Sequence, residues 1–173
     1  MFSSNFISLF GGLSHLVDAS KLYLAKTTLA KTCYMQMFAN CTSLTAAPAL
    51  IAENLADSCY SLMFYNCTSL STAPKLLAKN IAQECYSEMF RGCTALTSTI
   101  KLPATTTYYA CYENMLRSCT NVSVINVNFT EWGNTTNWII DVSSTGKFIK
   151  PSSLSTILDN GSHIPESWTV VNK

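Results

Sequence analysis

The residues of this chain most able to do chemistry are eight cysteines, and their spacing is regular. They form two series with a step of 26 residues, which are Cys33, Cys59, Cys85 and Cys111, and Cys41, Cys67, Cys93 and Cys119. A zinc site typically uses close pairs such as C-x-x-C, and the sequence contains none. The eight-residue spacing inside one repeat corresponds to about 12 Å along a helix, whereas a disulfide needs Cα atoms about 4.4–6.8 Å apart. We therefore predict buried free thiols, with disulfides between neighbouring repeats and a metal site as alternatives.

The sequence contains few residues that could support acid–base or nucleophilic catalysis. Only two histidines are present, His15 and His163, and neither has a serine or cysteine partner at a recognised spacing. No G-x-S-x-G, P-loop, G-x-G-x-x-G or H-E-x-x-H motif occurs, and no pair of carboxylates recurs from repeat to repeat. We therefore predict that the protein is not an enzyme and has no catalytic residue, metal or cofactor. A site around His163 and Trp168 is the enzymatic alternative.

The cysteines belong to a repeat, C-Y-x-x-M-F-x-x-C-T-x-L, which occurs four times without a gap, the last copy having Leu116 and Val122 in place of Phe and Leu. In the copy at 55–80, apolar residues recur every four positions, which predicts a helix. Pro74 and the short or β-branched residues before it predict a turn and a short strand near Leu70. Such a unit buries its apolar face only by stacking, so we predict an α/β, leucine-rich-repeat-like solenoid of helix-turn-short strand repeats. The Tyr and Phe columns are predicted to be core, with a stacking platform as the alternative.

The two ends of the chain depart from the repeat and divide it into three predicted parts. Residues 1–28 form a degenerate N-terminal repeat, residues 29–120 form the four-repeat core, and residues 121–173 form a β-rich C-terminal cap. The alternating pattern from Val122 to Phe129 predicts a strand in this cap. We expect the cap to cover the exposed edge of the last repeat.

Composition and charge exclude several classes of partner. The chain has 173 residues, of which 12% are charged, and its net charge is +1. This balance provides no basic surplus for nucleic acid, and no stretch approaches the roughly 20 apolar residues of a membrane-spanning helix. Residues 1–6 have no basic start and no apolar core of signal-peptide length, so no signal peptide is predicted.

A set of small polar side chains forms the predicted binding face, which we call the hydroxyl face. Its members recur with the repeat and follow the second cysteine of each copy; they are Ser43, Thr45, Ser69, Ser71, Thr97 and Ser123. If the leucines between them point inward along a strand, these side chains point outward. A flat, uncharged, hydroxyl-lined face suits many weak contacts with a protein or glycan. The outer surface of the predicted helices, with Tyr65, Arg91 and Arg117, is the second candidate surface.

The extended motif C-Y-x-x-M-F-x-x-C-T-S-L-T-x-A-P-x-L resembles the repeat of BspA-like leucine-rich repeat proteins. The segment from Asn137 to Val170 is similar to the closing segment of such arrays. These proteins lie on the surfaces of anaerobic gut bacteria and related protists, and similar arrays occur in phages of those bacteria. The resemblance implies an adhesion module at the cell surface or outside the cell, which binds a protein or glycan of a host or neighbouring cell. A structural component of a cell-surface or phage fibre, acting by end-to-end self-assembly, is the alternative.

Overall fold

The computed structural model describes residues 5–173, and in it the 26-residue repeats form successive coils of a stack. The backbone amide of Tyr34 donates to the carbonyl of Cys59 at 3.0 Å, and that of Tyr60 donates to Cys85 at 3.1 Å. The same bond links Tyr86 to Cys111. Each residue therefore lies beside its equivalent in the next coil. Residues 1–4 of the predicted N-terminal repeat lie outside the described residues, and the three predicted domain boundaries stay predictions.

The predicted helix is wrong, because each C-Y-x-x-M-F segment forms a ribbon of consecutive turns instead. In this turn ribbon, alternate amides donate to the carbonyl three residues earlier, as Met63 does to Tyr60 at 3.1 Å. The amides between them donate to the next coil, as Phe64 does to Met89 at 2.9 Å. An α-helix keeps all its interior amides for itself, so it cannot supply such bonds to a neighbour. Within residues 5–173 there is no helix, and the leucine-rich-repeat-like, helix-turn-strand solenoid is corrected to this arrangement.

Every fourth residue of the turn ribbon has a positive φ, which explains why the apolar spacing imitated a helix. In one coil these residues are Thr32, Gln36 and Asn40, with φ between 55° and 61°. The turn ribbon thus repeats every four residues, and an α-helix returns to the same face after 3.6. Both place Cys33, Met37 and Cys41 on one side. Asn and Gly tolerate the left-handed conformation best, and the last of these positions holds Asn or Gly in three of the four sequence repeats and in the N-terminal coil.

Within residues 5–173, parallel strands form only towards the C-terminal half of the stack. They are β1 (Ile100–Leu102), β2 (Val124–Val127), β3 (Lys147–Lys150) and β4 (Thr169–Asn172), which pair in that order. Strand β2 lies inside the segment whose alternation predicts a strand. The earlier coils contribute isolated bridges, such as Asn54 to Asn80, and the strand expected near Leu70 does not form.

The core consists of columns of identical side chains that run along the stack. The tyrosine rings of Tyr34, Tyr60 and Tyr86 stack at 6.0 Å between centroids, and those of Phe38 and Phe64 at 5.5 Å. All of these rings are buried, so the prediction that both aromatic columns are core is confirmed. Because every coil contributes the same side chains, the core grows by one equal layer with each repeat.

Trp138 lies at the centre of an aromatic cluster that fills the C-terminal end. Its ring is fully buried, and its indole nitrogen donates to the carbonyl of His163 at 3.1 Å. The rings of Phe129, Trp132 and Phe148 surround it at 6.1–6.4 Å between centroids. These large rings replace the repeated columns where the sequence repeat stops. Across the described residues, the structure contains no helix of the length and apolarity needed to cross a membrane.

Candidate functional site

The hydroxyl face predicted from the sequence follows the stack direction from coil to coil. Its outer members Thr45, Ser71 and Thr97 are exposed, and its remaining members Ser43, Ser69 and Ser123 are half-buried. The hydroxyl of Thr45 donates to the carbonyl of Val17 at 3.1 Å, and that of Thr97 points to the carbonyl of Ser71 at 3.4 Å. These hydroxyls therefore link neighbouring coils, and only their oxygen lone pairs remain for a ligand.

A long groove lies next to this face, and it crosses four coils. Two adjoining concavities of about 660 and 570 Å³ form it, and they share residues 73–75 and Leu77. The first is lined by residues 73–77 and 99–103 together with Asn126, Asn128 and Lys173. The second is lined by residues 45–51 and 72–75 with Ser20 and Leu77. Thr45 is the member of the hydroxyl face that reaches the groove.

Three lysines line the first concavity and form what we call the lysine row. The repeat step places Lys75 one coil before Lys101, and both side chains are exposed. Lys101 is in register with Asn126 of β2, so the next position in the row belongs to an asparagine. The ammonium of Lys173 donates to the side-chain oxygens of Asn126 at 2.5 Å and Asn128 at 2.6 Å. The C-terminal residue thereby supplies the third positive charge, above the coil that lacks its own lysine.

Among residues 5–173, no acidic side chain lines either concavity of the groove that holds the lysine row. The ion pairs among residues 5–173 are Arg91 with Glu88 and His163 with Asp159, and neither involves a lysine of the row. Partial burial lowers the pKa of the Lys173 ammonium, which is the direction expected when a cation loses water. The groove is therefore a local positive region on a chain whose net charge is close to zero.

The cysteines carry no site among the described residues. All eight are free and buried, which confirms the predicted buried thiols, and no three His, Cys, Asp or Glu side chains of residues 5–173 converge as metal ligands. The second cysteine of each repeat has a structural partner, since the thiol of Cys67 donates to the carbonyl of Phe38 at 3.1 Å and that of Cys93 to Phe64 at 3.0 Å. Burial raises the pKa of the Cys59 and Cys67 thiols to about 12, so both stay protonated and unreactive at neutral pH.

The enzymatic alternative places a site around His163 and Trp168, but in the structure these residues belong to a packed loop. Asp159 accepts the backbone amides of Gly161 at 2.8 Å, Ser162 at 2.6 Å and His163 at 3.1 Å, and its other oxygen contacts the imidazole Nδ1. Burial opposes ionisation of Asp159, but these hydrogen bonds outweigh it and lower its pKa to about 2. The imidazole packs edge-on against Trp132 at 5.0 Å, and the indole nitrogen of Trp168 donates to the carbonyl of Ser143. The Asp159–His163 pair thus holds the loop in place, and neither residue lines the two concavities of the groove.

The second candidate surface lies on the outside of the turn ribbon. The guanidinium of Arg91 donates to Glu88 at 2.7 Å and lies 5.8 Å from the ring centre of Tyr65. Arg117 points to the side-chain oxygen of Asn114 at 3.4 Å. Glu88 neutralises the charge of Arg91, whereas the partner of Arg117 is a neutral amide, so the two arginines leave one cation without an ion pair and the groove has three.

The lysine row was missed by the sequence reasoning, although part of its signal is present. Lys75 and Lys101 are 26 residues apart and could have been found as a repeated column. Lys173 has no such signal, because it lies outside the repeat and reaches Asn126 only through the order of the strands. Comparisons with protein-family models, curated proteins and solved structures found no match to this chain.

Proposed function

We propose that this protein is a non-enzymatic interaction module of a bacterial surface, which binds a protein or glycan of a host or neighbouring cell. The observation that carries the proposal is the groove, which is open, continuous over four coils and adjacent to the hydroxyl face. It is lined by lysine, asparagine, hydroxyl and aliphatic side chains, which suit binding rather than acid–base chemistry. The resemblance of the repeat to BspA-like surface proteins supports the same function by analogy.

The stack is suited to binding with little rearrangement. Its core side chains, such as Met63, Phe64 and Cys67, are fully buried, and hydrogen bonds join every coil to the next. A surface carried on such a rigid frame loses little conformational entropy when a ligand binds. Many weak contacts along several coils then add up to useful affinity.

The alternative function, a fibre that grows end to end, requires two complementary ends. The turn ribbon would need free amides at the C-terminal end to bond the first coil of another copy. There, the amides of Gly161, Ser162 and His163 donate instead to Asp159 of the same loop. These amides are thus withdrawn from end-to-end bonding, whereas β4 has no strand on its outer side within residues 5–173, so the oligomeric state measured in the test decides between the two functions.

The test is a binding screen of the purified chain against matrix proteins and a glycan array. A face variant carries Thr45→Glu, Ser71→Glu and Thr97→Glu, which fill the exposed part of the hydroxyl face beside the groove. A control variant carries the same three charges on exposed positions of the C-terminal cap, as Thr136→Glu, Ser153→Glu and Thr156→Glu.

We expect binding that the face variant loses and the control variant keeps. Loss in both variants would mean that added charge, rather than the face, is responsible. Absence of binding by all three proteins, together with end-to-end oligomers in sedimentation experiments, would replace this proposal with the fibre function.

A further inference from the structure

We propose that the lysine row binds a linear polysaccharide that carries one carboxylate on each sugar, a polyuronate. The inference rests on the proposed function and names the ligand class for the groove. It starts from three exposed cations, Lys75, Lys101 and Lys173, on one side of the stack.

The row is regular because the coils are regular. Neighbouring strands of a sheet lie about 4.8 Å apart, so consecutive coils place the backbones that carry these side chains at about that step. Lys75 and Lys101 occupy consecutive coils, and the two asparagine oxygens hold the Lys173 ammonium over the following one. The three like charges repel one another, and no carboxylate of the groove lining offsets them. A ligand with evenly spaced negative charges relieves this repulsion.

An acidic peptide fits the row less well than a polyuronate does. Peptides that bind sheets pair with backbone groups at a free edge. The groove instead lies across β1 and β2, whose facing edges are already paired with each other. Its donors are side chains, namely ammonium, amide and hydroxyl groups, which suit the carboxylates and hydroxyls of a sugar chain.

The floor of the groove fits the same ligand. Pro74, Leu77 and Pro103 provide apolar contact area between the polar side chains. A sugar ring presents C–H groups on its faces and polar groups around its rim. Such a ring can therefore lie on the aliphatic floor while its carboxylate reaches a lysine.

The experiment measures binding of an oligogalacturonate of about ten sugars by calorimetry at low ionic strength, where exposed charges are least screened. The fully methyl-esterified oligosaccharide has the same backbone without the charges and is the matched ligand control. A polyglutamate peptide of equal charge tests whether negative charge alone is sufficient. The protein variants are Lys75→Gln, Lys101→Gln and Lys173→Gln. The matched protein control is Lys79→Gln, because Lys79 is exposed in the same coil as Lys75 but does not line the groove.

Each variant of the row is expected to weaken binding of the oligogalacturonate about threefold, the size of one exposed ion pair, and Lys79→Gln is expected to leave it unchanged. The methyl ester and polyglutamate are expected to bind at least tenfold more weakly than the oligogalacturonate. Equal binding of the methyl ester, equal or tighter binding of polyglutamate, or equal effects of Lys79→Gln and Lys101→Gln would each overturn the inference.

Asn126 is assigned as a positioning residue, because it acts on the ligand through Lys173. Asn126→Ala is expected to weaken binding, but by less than Lys173→Gln does, because Asn128 still holds the Lys173 ammonium at 2.6 Å. In a protein that already carries Lys173→Gln, Asn126→Ala is expected to have no further effect, since no ammonium is left to position. Additive effects would refute this role.

The outcomes separate this inference from the proposed function. If the screen finds a partner that the face variant loses, and the oligogalacturonate does not bind, the interaction module stands and the polyuronate ligand fails. If neither binds, both proposals fail.

Discussion

Replacing Gly92 with alanine is expected to destabilise the stack, and the structure separates the effect into two parts. Gly92 has a φ of +78° and takes the position that Asn40 and Asn66 hold in the preceding coils. An L-residue in the left-handed conformation loses about 1–2 kcal/mol, partly offset by about 0.4–1 kcal/mol because the unfolded chain becomes less flexible. This backbone part is therefore about 1 kcal/mol.

The second part of the effect comes from the side chain of Asn66. A Cβ atom on Gly92 would overlap the side-chain oxygen of Asn66, so this amide must move. Its nitrogen donates to the side-chain oxygen of Asn40 at 3.2 Å, and displacement breaks that bond. A net hydrogen bond contributes about 0.5–1.5 kcal/mol, so Gly92→Ala is expected to lower the free energy of unfolding by about 2 kcal/mol in total.

Urea denaturation of the single and double variants measures both parts. In a protein that already carries Asn66→Ala, the overlap is absent, so Gly92→Ala should cost about 1 kcal/mol less than in the parent protein. Gly92→Asn adds the same Cβ as Gly92→Ala, but asparagine tolerates a positive φ better, so the difference between these two variants measures the backbone part. A loss below about 0.5 kcal/mol for Gly92→Ala, or equal losses with and without Asn66, would refute the reasoning.

Three further predictions follow from the core and from the C-terminal loop. Phe64→Ala removes a fully buried ring from the middle of its column and is expected to lower the free energy of unfolding by about 3–5 kcal/mol, whereas Ser71→Ala at an exposed position should change it by less than about 0.5 kcal/mol; urea denaturation compares them. The eight buried thiols are expected to react with a thiol reagent only after denaturant is added, since burial raises the pKa of Cys59 to about 12; fast labelling of the folded protein would contradict this. The pKa of Asp159 is lowered from 3.8 to about 2 in the folded state, so its stabilising contribution is complete above pH 3.8 and is lost as the pH falls towards 2. Asp159→Asn should therefore flatten the pH dependence of the melting temperature in that range. An unchanged profile would show that the loop does not depend on this carboxylate.

The periodicity of the sequence predicted which residues are buried, but not which backbone buries them. Cys59, Met63 and Cys67 lie in the core as their four-residue spacing indicates. The same spacing serves an α-helix and a turn ribbon, because both return to one side after about four residues. The difference lies in the backbone, where Leu62 and Glu88 adopt a positive φ that neither residue type prefers. The hydrogen bonds that compensate for this conformation come from the neighbouring coil, so the sequence of a single repeat does not reveal them.

In the candidate site, too, features that follow from the repeat were predictable, and contacts between distant segments were not. The exposure of Thr45, Ser71 and Thr97 follows from the repeat and was predictable. The third charge of the lysine row was not predictable, because Lys173 follows β4 and reaches Asn126 of β2 across β3. Contacts of this kind depend on the order of the strands, which no periodic pattern encodes.

The one-way hydrogen bonds of the turn ribbon give this side of the stack an electrical polarity, whereas bonds on the opposite side, such as that from the Thr97 amide to Ser71, run the other way. Amides such as those of Tyr34 and Tyr60 point towards the C-terminal end, and the carbonyls that accept them point back towards the N-terminal end. Peptide dipoles of about 3.5 D therefore add along the stack axis, as they do along a helix. The negative pole lies at the first coil, where the carbonyls of Ile7 and Leu9 are equivalent to those that accept bonds in later coils. Asp159, which accepts three amides at the opposite end, places a carboxylate at the positive pole, where such a field stabilises it.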